Sequence, residues 1–218
     1  MSPFANDPCC GMSPFANDPY CYPGTDILHN LEDLRDQAAL DRFEADAVAV
    51  GLINLKRNAI QGPFDARRLQ ETHRSIFARV YPWAGEFRKG IGMMAKNRSG
   101  FVVAYGPSEN VPTALAEAFA KLKAEGNLHG LDASRFATRL ALHYSELDAI
   151  HAFREGNSRT LRAFTSDLAQ AAGHRLGWER VGQTAEDRDR LYHARDLAVM
   201  RGDTSELAEV LSRALRAH

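Results

Sequence analysis

Apolar residues recur every three or four positions along much of this chain, which is the spacing that lines one face of an α-helix. The most regular stripe lies in the second half of the sequence and consists of Phe136, Leu140, Tyr144, Leu147 and Ile150. After a polar gap, a second stripe consists of Leu161, Phe164 and Leu168. Gly173 can end that helix in the left-handed conformation, so the pattern predicts helices over 136–150 and about 158–172.

Further helical stripes flank this pair, and capping residues stand in front of them. One stripe follows Asp65 and another follows Ser108, while capping boxes at Thr184 and Asp203 predict two helices near the C-terminus. Their apolar positions are Leu69, Ile76, Phe77, Val80, Leu115, Phe119, Leu122, Leu207, Val210, Leu211 and Leu215. The fold class predicted is mainly α, with these residues in the core and not around a cofactor.

One segment, from Gly90 to Tyr105, interrupts the helical pattern. Two short strand-like runs flank Lys96-Asn-Arg-Ser-Gly100, whose residues favour tight turns. The segment therefore predicts a short β-hairpin, and an ordinary surface hairpin is its simplest interpretation.

Composition limits the protein classes that fit. A chain of 218 residues that is 44% hydrophobic can bury one core, and we assign residues 20–218 to a single domain. The formal net charge of −1 gives no reason to expect direct binding of nucleic acid or of an anionic membrane. Neither a secretory signal nor a run of transmembrane length is visible, so we expect a cytoplasmic protein.

Residues 1–19 contain a perfect duplication, because Met1-Ser-Pro-Phe-Ala-Asn-Asp-Pro8 recurs at 12–19. An alternative start or a cloning scar explains such a repeat, and we treat the segment as flexible and separate from the domain. All three cysteines lie near the N-terminus: Cys9, Cys10 and Cys21. Their odd number and spacing argue against a disulfide framework or a structural zinc.

The polar gap between the two central helices reads His151-Ala-Phe-Arg-Glu155-Gly-Asn157-Ser-Arg159. The first amides of a helix lack internal partners and face the positive end of its dipole, so a phosphate can bind there. Gly156 supplies a flexible turn, and Asn157 can cap the helix. Arg159 and Arg162 lie three residues apart and can fork onto phosphate oxygens from the same side.

Two further side chains of the gap suggest chemistry. Glu155 would repel a bare phosphate, but the conflict disappears if it holds Mg²⁺, which binds few protein carboxylates and takes phosphate oxygens as well. His151 is the nearby side chain whose ordinary pKa suits proton abstraction near neutral pH. An isolated histidine there would be a helix cap or a packed surface residue. We interpret Phe153 as a core anchor and Arg154 as a solvated surface charge.

With these residues in place, the chain resembles the Fic (Fic/Doc) family. The signature of that family has His, Phe, an acidic residue, Gly or Ala, Asn, Gly or Lys, and Arg at these spacings, often with a second Arg three residues on. The chain departs from it at Ala152, where Pro is common, and at Ser158, where Gly or Lys is usual. Three further segments resemble the family: Tyr22-Pro-Gly-Thr-Asp26, Tyr81-Pro-Trp-Ala-Gly-Glu-Phe-Arg88 and Ala171-Ala-Gly-His-Arg-Leu-Gly-Trp178.

The resemblance implies transfer of a nucleoside monophosphate, most often AMP from ATP, onto a Ser, Thr or Tyr hydroxyl of a target protein. His151 would be the catalytic base, and Glu155 would hold Mg²⁺. The nucleotide phosphates would contact Gly156, Asn157, Ser158, Arg159 and Arg162. The predicted hairpin would be a flap over the active site, whose edge an extended target segment can join.

The resemblance also raises the question of regulation. Many Fic proteins carry an inhibitory Glu, preceded four residues earlier by Ser or Thr and followed by Gly or Asn. No Glu here fits, and the nearest approach is Ser205 with Glu209, which Val210 follows. We therefore expect a separate antitoxin to place a Glu opposite Arg159. This would make the chain a toxin, with bacterial type II topoisomerases as candidate targets.

Two other functions stay open at this level. Ser158 adds a side chain where the family usually has Gly, and the Lys variant of that position is associated with phosphorylation, so the chain could transfer phosphate or another nucleotide. A non-catalytic Fic-like binding module is the second alternative, and the intact His151, Glu155 and Arg159 argue against it.

Overall fold

Seven α-helices and four short strands make up the regular structure of residues 18–98 and 101–216, the part of the chain that the computed structural model describes. The helices are α1 (Gln37–Arg57), α2 (Ala66–Phe77), α3 (Val111–Ala124), α4 (Ala133–Ile150), α5 (Asn157–Ala171), α6 (Ala185–Arg201) and α7 (Ser205–Ala214). The strands are β1 (Met94–Arg98), β2 (Phe101–Tyr105), β3 (Arg175–Leu176) and β4 (Leu215–Arg216). The mainly α prediction is confirmed. The sequence repeat falls largely outside the described residues.

The two central helices form where their apolar stripes predict them. Asp132 caps α4 by accepting a hydrogen bond from the Arg135 amide, and the helix ends where His151 adopts a left-handed conformation, with φ of 48° and ψ of 60°. Helix α5 follows the loop 151–156 directly. The chain thus reverses within a few residues, and the C-terminal end of α4 lies next to the N-terminal end of α5.

Helix α4 is the centre of the main core. Phe136, Leu140 and Tyr144 are completely buried, and helices α3, α5, α6 and α7 pack around them. Phe164 and Leu168 of α5 join the same cluster. This packing holds the loop between α4 and α5 from both of its ends.

Helix α1 was not predicted, although it is the longest helix of the described residues at 21 residues. Its buried positions include only one large side chain, Leu40, beside Ala47, Val48 and Gly51. Small buried residues give a weak stripe, because little apolar area marks the buried face. Helix α1 packs against α2, and a Cβ at Gly51 would lie 2.6 Å from the Ile76 carbonyl oxygen.

The other helix starts agree only partly with the sequence. Asp65 and Thr184 cap α2 and α6 through their side chains, as predicted. Ser108 instead begins a 3₁₀ turn, and α3 starts after it, at Val111. Thr204 occupies the capping position of α7, so Asp203 lies one residue before it. The Asp203 side chain nevertheless accepts a hydrogen bond from the Ser205 amide.

The predicted hairpin is present as β1 and β2, which pair antiparallel from Met94 with Tyr105 to Arg98 with Phe101. Lys96 belongs to β1, so the prediction that it begins the turn is wrong. The Tyr105 ring stacks on the His151 imidazole with 3.8 Å between ring centroids. The hairpin therefore lies over the residue that the sequence suggests as the base.

His73 ties α2 to the loop between α4 and α5. Its Nδ1 accepts from the Gly85 amide at 2.8 Å, so its Nε2 carries the proton and donates to the Glu155 carbonyl oxygen at 3.0 Å. The ring stacks on Phe153 with 3.9 Å between centroids. Burial lowers the pKa of His73 from 6.5 to about 3, so this imidazole stays neutral.

None of the helices in the described part of the chain combines the length and the apolar character that a membrane span requires.

Replacing Gly51 with Ala should destabilise the fold, although Gly to Ala inside a helix ordinarily stabilises by about 0.5–1 kcal/mol. The new methyl group would meet backbone oxygens of Ser75 and Ile76 at 2.8 and 2.6 Å. We expect a net loss of about 1–3 kcal/mol in the free energy of unfolding, measured by urea titration. Val50→Ala, at a partly exposed position of the same helix, is the control; a Gly51→Ala protein as stable as wild type would contradict this close packing.

Acid should destabilise the fold through His73. Its folded-state pKa lies below the unfolded value, so its contribution is complete above about pH 6.5 and falls away as the pH drops towards about 3. The loss for this one histidine should approach about 1.4 kcal/mol per pH unit in that range. Urea titrations at about pH 7 and about pH 5 measure the slope, which His73→Gln should reduce. Exposed His129→Gln is the control, and an unchanged slope in His73→Gln would refute the assignment.

Candidate active site

The loop 151–156 and the first turn of α5 bury the side chains that the sequence selected. His151, Glu155, Asn157, Ser158 and Arg159 are each less than a tenth exposed. Phe153 anchors the loop in the core, as predicted, with 1% of its surface exposed. The motif is therefore a folded structural unit, and its conformation is set by contacts within the core.

Asn157 holds this loop together. Its Oδ1 accepts from the Phe153 amide at 2.9 Å, and its Nδ2 donates to the Phe153 carbonyl oxygen at 2.7 Å. The prediction that Asn157 caps α5 is wrong, because Gly156 occupies the capping position and Asn157 is the first helical residue. Its side chain braces the loop, and its backbone amide lies in the first turn of α5.

Gly156 is required by the turn into α5. Its φ of 80° lies in the left-handed region, and a Cβ there would stand 2.3 Å from the Phe77 ring. A larger residue would push the start of α5 away from α2.

Arg88 fixes the end of α4, a role that the sequence did not reveal. Its Nε donates to the His151 carbonyl oxygen at 2.7 Å. Its Nη2 donates to the carbonyl oxygens of Gly106 at 2.5 Å and Ile150 at 3.3 Å. The guanidinium is buried, so it satisfies carbonyl groups that the helix end leaves unpaired and joins the base of the hairpin to His151.

His151 is buried beneath Tyr105, with 1% of its surface exposed. Its Nδ1 has no hydrogen-bond partner among the described residues. Burial lowers the pKa of His151 well below its ordinary value, and the positive charges of Lys96, Arg88 and Arg195 lower it further. The imidazole is therefore neutral near pH 7, the form in which it can accept a proton.

Glu155 presents one carboxylate oxygen to the loop and leaves the other without a protein donor. Its Oε1 accepts from the Gly156 amide at 2.8 Å and from Arg159 Nη2 at 3.2 Å. Among the described residues, no donor bonds to Oε2, and no three His, Cys, Asp or Glu side chains cluster as a metal site. A single carboxylate oxygen suits Mg²⁺, which completes its shell with water and phosphate oxygens.

Arg159 and Arg162 have different partners in the structure. Arg159 forms ion pairs with Glu44 of α1 and with Glu155, and its guanidinium lies 4.8 Å from the centre of the Phe77 ring. Arg162 instead donates from Nη1 to Ser158 Oγ at 2.8 Å. The reason is Glu44, a carboxylate from a helix that the sequence pattern missed, which holds Arg159 against α1 and α2.

Ser158 accepts from a second arginine as well. Arg195 of α6 donates from Nη1 to Ser158 Oγ at 2.9 Å. Asp148, in the last turn of α4, binds Arg195 through both carboxylate oxygens at 3.0 and 2.9 Å. Ser158 thus joins α5 to α6, and Asp148 joins α6 to the end of α4.

Arg154 was predicted to be a solvated charge, and this prediction is wrong. It is 8% exposed, and its Nε donates to Asp18 Oδ2 at 2.8 Å. Asp18 comes from the segment before the predicted domain boundary, so the contacts of the folded body begin before residue 20.

Sequence reasoning missed five residues that set this geometry: Glu44, His73, Arg88, Asp148 and Arg195. Each acts on a partner far along the chain, with 115 positions between Glu44 and Arg159 and 47 between Asp148 and Arg195. No local pattern marks such a pair. The segment that ends at Arg88 resembled the family, but that resemblance assigned this arginine no role.

Comparisons with known proteins point to one family. The model of the Fic/DOC family matches residues 63–169. The chain is 38% identical over 159 residues to the protein adenylyltransferase VbhT of Bartonella schoenbuchensis, covering 73% of this chain and 32% of that protein. It is 31% identical over 168 residues to the probable protein adenylyltransferase Fic of Escherichia coli, covering 75% of this chain and 78% of that protein.

The fold is shared with solved structures. The BepC protein of Bartonella tribocorum, with bound AMPPNP, superimposes with a TM-score of 0.82 at 25% identity, covering 93% of this chain and 99% of that one. The chain spans about a third of the first two curated relatives, 32% and 31% of their lengths. The Escherichia coli protein is matched over most of its own length. The chain belongs to the Fic/DOC family.

Proposed function

We propose that the chain is a protein adenylyltransferase that moves AMP from Mg²⁺-ATP to a hydroxyl side chain of a target protein. The observation that carries the proposal is one loop that combines a neutral buried imidazole, a carboxylate oxygen without a protein donor and the start of a helix. Relatives named as protein adenylyltransferases, and a structural neighbour with bound AMPPNP, support it.

The nucleotide phosphates would lie at the N-terminal end of α5. The amides of Asn157 and Ser158 lie in the first turn, where a helix has no internal acceptors for them and its dipole favours an anion. Gly156 adopts the left-handed conformation that the turn into α5 requires. Arg162 and Arg159 add positive charge. Glu155 would hold Mg²⁺, which would neutralise charge on the phosphates when bound.

His151 would act as the general base. It would take the proton of the target hydroxyl as that oxygen forms a bond to the α-phosphorus, while the bond from phosphorus to the β-phosphate bridging oxygen breaks and pyrophosphate leaves. The ring is covered by Tyr105, so the hairpin must shift for the hydroxyl to reach it. Its lowered pKa keeps the imidazole neutral near pH 7, which is the form that can take up a proton.

The hairpin is the proposed docking site for the target. Met93 beside β1 and Val102 on β2 are 60% and 61% exposed, an unusual state for large apolar side chains. An extended target segment could pair with the edge of this two-stranded sheet and present a Ser, Thr or Tyr hydroxyl to the loop. Bacterial type II topoisomerases in the cytoplasm are the targets that the family resemblance suggests.

We further propose that the chain is a toxin restrained by a small antitoxin that supplies a Glu. Within the described residues, Glu209 is exposed on α7 and makes no ion pair with Arg159 or Arg162. Arg159 already faces Glu44 and Glu155, so an antitoxin Glu directed at Arg159 would have to displace one of them.

Ser158 favours one alternative, transfer of phosphate or of another nucleotide. Its hydroxyl and the two arginines bound to it alter the surroundings of the phosphates relative to Gly. The identity of the transferred group follows directly from the mass that a target gains.

His151→Ala should abolish transfer while ATP binding changes by less than about twofold, because the imidazole moves a proton and does not hold phosphate. A loss of about 10²–10⁴-fold in rate is the ordinary effect of removing a general base. The measurement is intact-mass spectrometry of proteins from a lysate after incubation with Mg²⁺ and each nucleoside triphosphate in turn.

Exposed His129→Ala is the matched control. A gain of one AMP mass that depends on His151 would support the proposal, and a gain of one phosphate would favour the alternative. Equal modification by wild type and His151→Ala would contradict the role of His151.

A further inference from the structure

Ser158 differs from several helical hydroxyls among the described residues in the direction of its hydrogen bonds. Thr72, Ser75 and Thr165 each donate to the carbonyl oxygen four residues earlier, at 2.8, 2.8 and 2.6 Å. Ser158 Oγ makes no such bond and instead accepts from Arg162 at 2.8 Å and from Arg195 at 2.9 Å. Its hydroxyl oxygen therefore accepts two hydrogen bonds from guanidinium groups, one on its own helix and one on α6.

In this arrangement the hydroxyl proton of Ser158 is the part of the group that remains for a further hydrogen bond. A hydroxyl has two acceptor positions and one donor, and both acceptor positions here are taken by guanidinium groups. No described residue accepts the proton, although Ser158 is only 5% exposed. Two cations and the positive end of α5 surround the hydroxyl, so the acceptor that suits it best is an anion.

Arg195 is the residue that fixes this geometry. It is 2% exposed, and its Nε and Nη2 are bound to Asp148, which leaves Nη1 directed at Ser158. A buried Arg bound at two points by a carboxylate cannot swing away without a large loss of favourable contacts. Arg195 lies beyond residues 63–169, the part that the family model matches.

We propose that Arg195 is a positioning residue for nucleotide recognition, which through Ser158 Oγ orients the Ser158 hydroxyl to donate to the pyrophosphate end of a nucleoside triphosphate. The proposal rests on the proposed function. The pyrophosphate end carries most of the negative charge of the triphosphate, and Arg162 shares Ser158 Oγ with Arg195. Ser158, where the family usually has Gly, thus adds a hydrogen-bond donor to the proposed phosphate site as well as side-chain volume.

The test compares the binding of Mg²⁺-ATP and of AMP by titration calorimetry. Ser158→Ala should weaken ATP binding about tenfold, as for loss of one hydrogen bond to a charged group, and AMP binding by less than about twofold. Arg195→Lys keeps the charge but cannot bind Asp148 at two points and reach Ser158 as well. It should weaken ATP binding by a similar factor, and the double variant should be no worse than either single variant.

Arg213→Lys is the matched control, because Arg213 also pairs with an aspartate, Asp187, but at a half-exposed position on α7. If Arg195→Lys does not fold, the comparison of ATP and AMP binding by Ser158→Ala tests the proposal without it. Unchanged ATP binding in Ser158→Ala, or equal weakening of ATP and AMP, would overturn the proposal. A wild-type chain that binds no ATP would instead refute the proposed function.

Discussion

The buried guanidinium of Arg88 is the constraint on which the site depends. Helix α4 stops at a left-handed His151, and the carbonyl groups at that end lie in the protein interior, where an unpaired acceptor is costly. Arg88 donates to Ile150, His151 and Gly106 together. The same side chain thus ends the helix, sets the direction of the loop and holds the hairpin over the imidazole.

The charges of the site are arranged around that loop in two groups. Arg159 forms ion pairs with Glu44 and Glu155, beside α1 and α2. Arg162 and Arg195 meet on the other side at Ser158, beside the positive end of α5. Between them, His151 and His73 stay neutral because burial opposes their protonation. The result is a cluster of positive charge at the start of α5 next to a neutral imidazole.

The sequence predicts the parts of this structure that depend on local patterns. The stripes of α4 and α5, the caps at Asp65 and Thr184 and the hairpin follow from spacing and turn chemistry. Helix α1 was not predicted, because its buried face is made mainly of small residues. Arg154 was misjudged because its carboxylate partner, Asp18, lies more than a hundred positions away, and the pairing of Arg159 with Glu44 was missed for the same reason. Burial of an arginine is decided by such a partner, and a single sequence does not show the pairing.

The nucleotide and metal sites can be located in a crystal structure with a non-hydrolysable ATP analogue and Mn²⁺, which replaces Mg²⁺ and gives an anomalous signal. The triphosphate should lie at the first turn of α5, with the anomalous peak beside the carboxylate of Glu155 and the α-phosphate facing His151. A nucleotide bound elsewhere, or a metal that Glu155 does not touch, would contradict the assignment of this loop as the catalytic site.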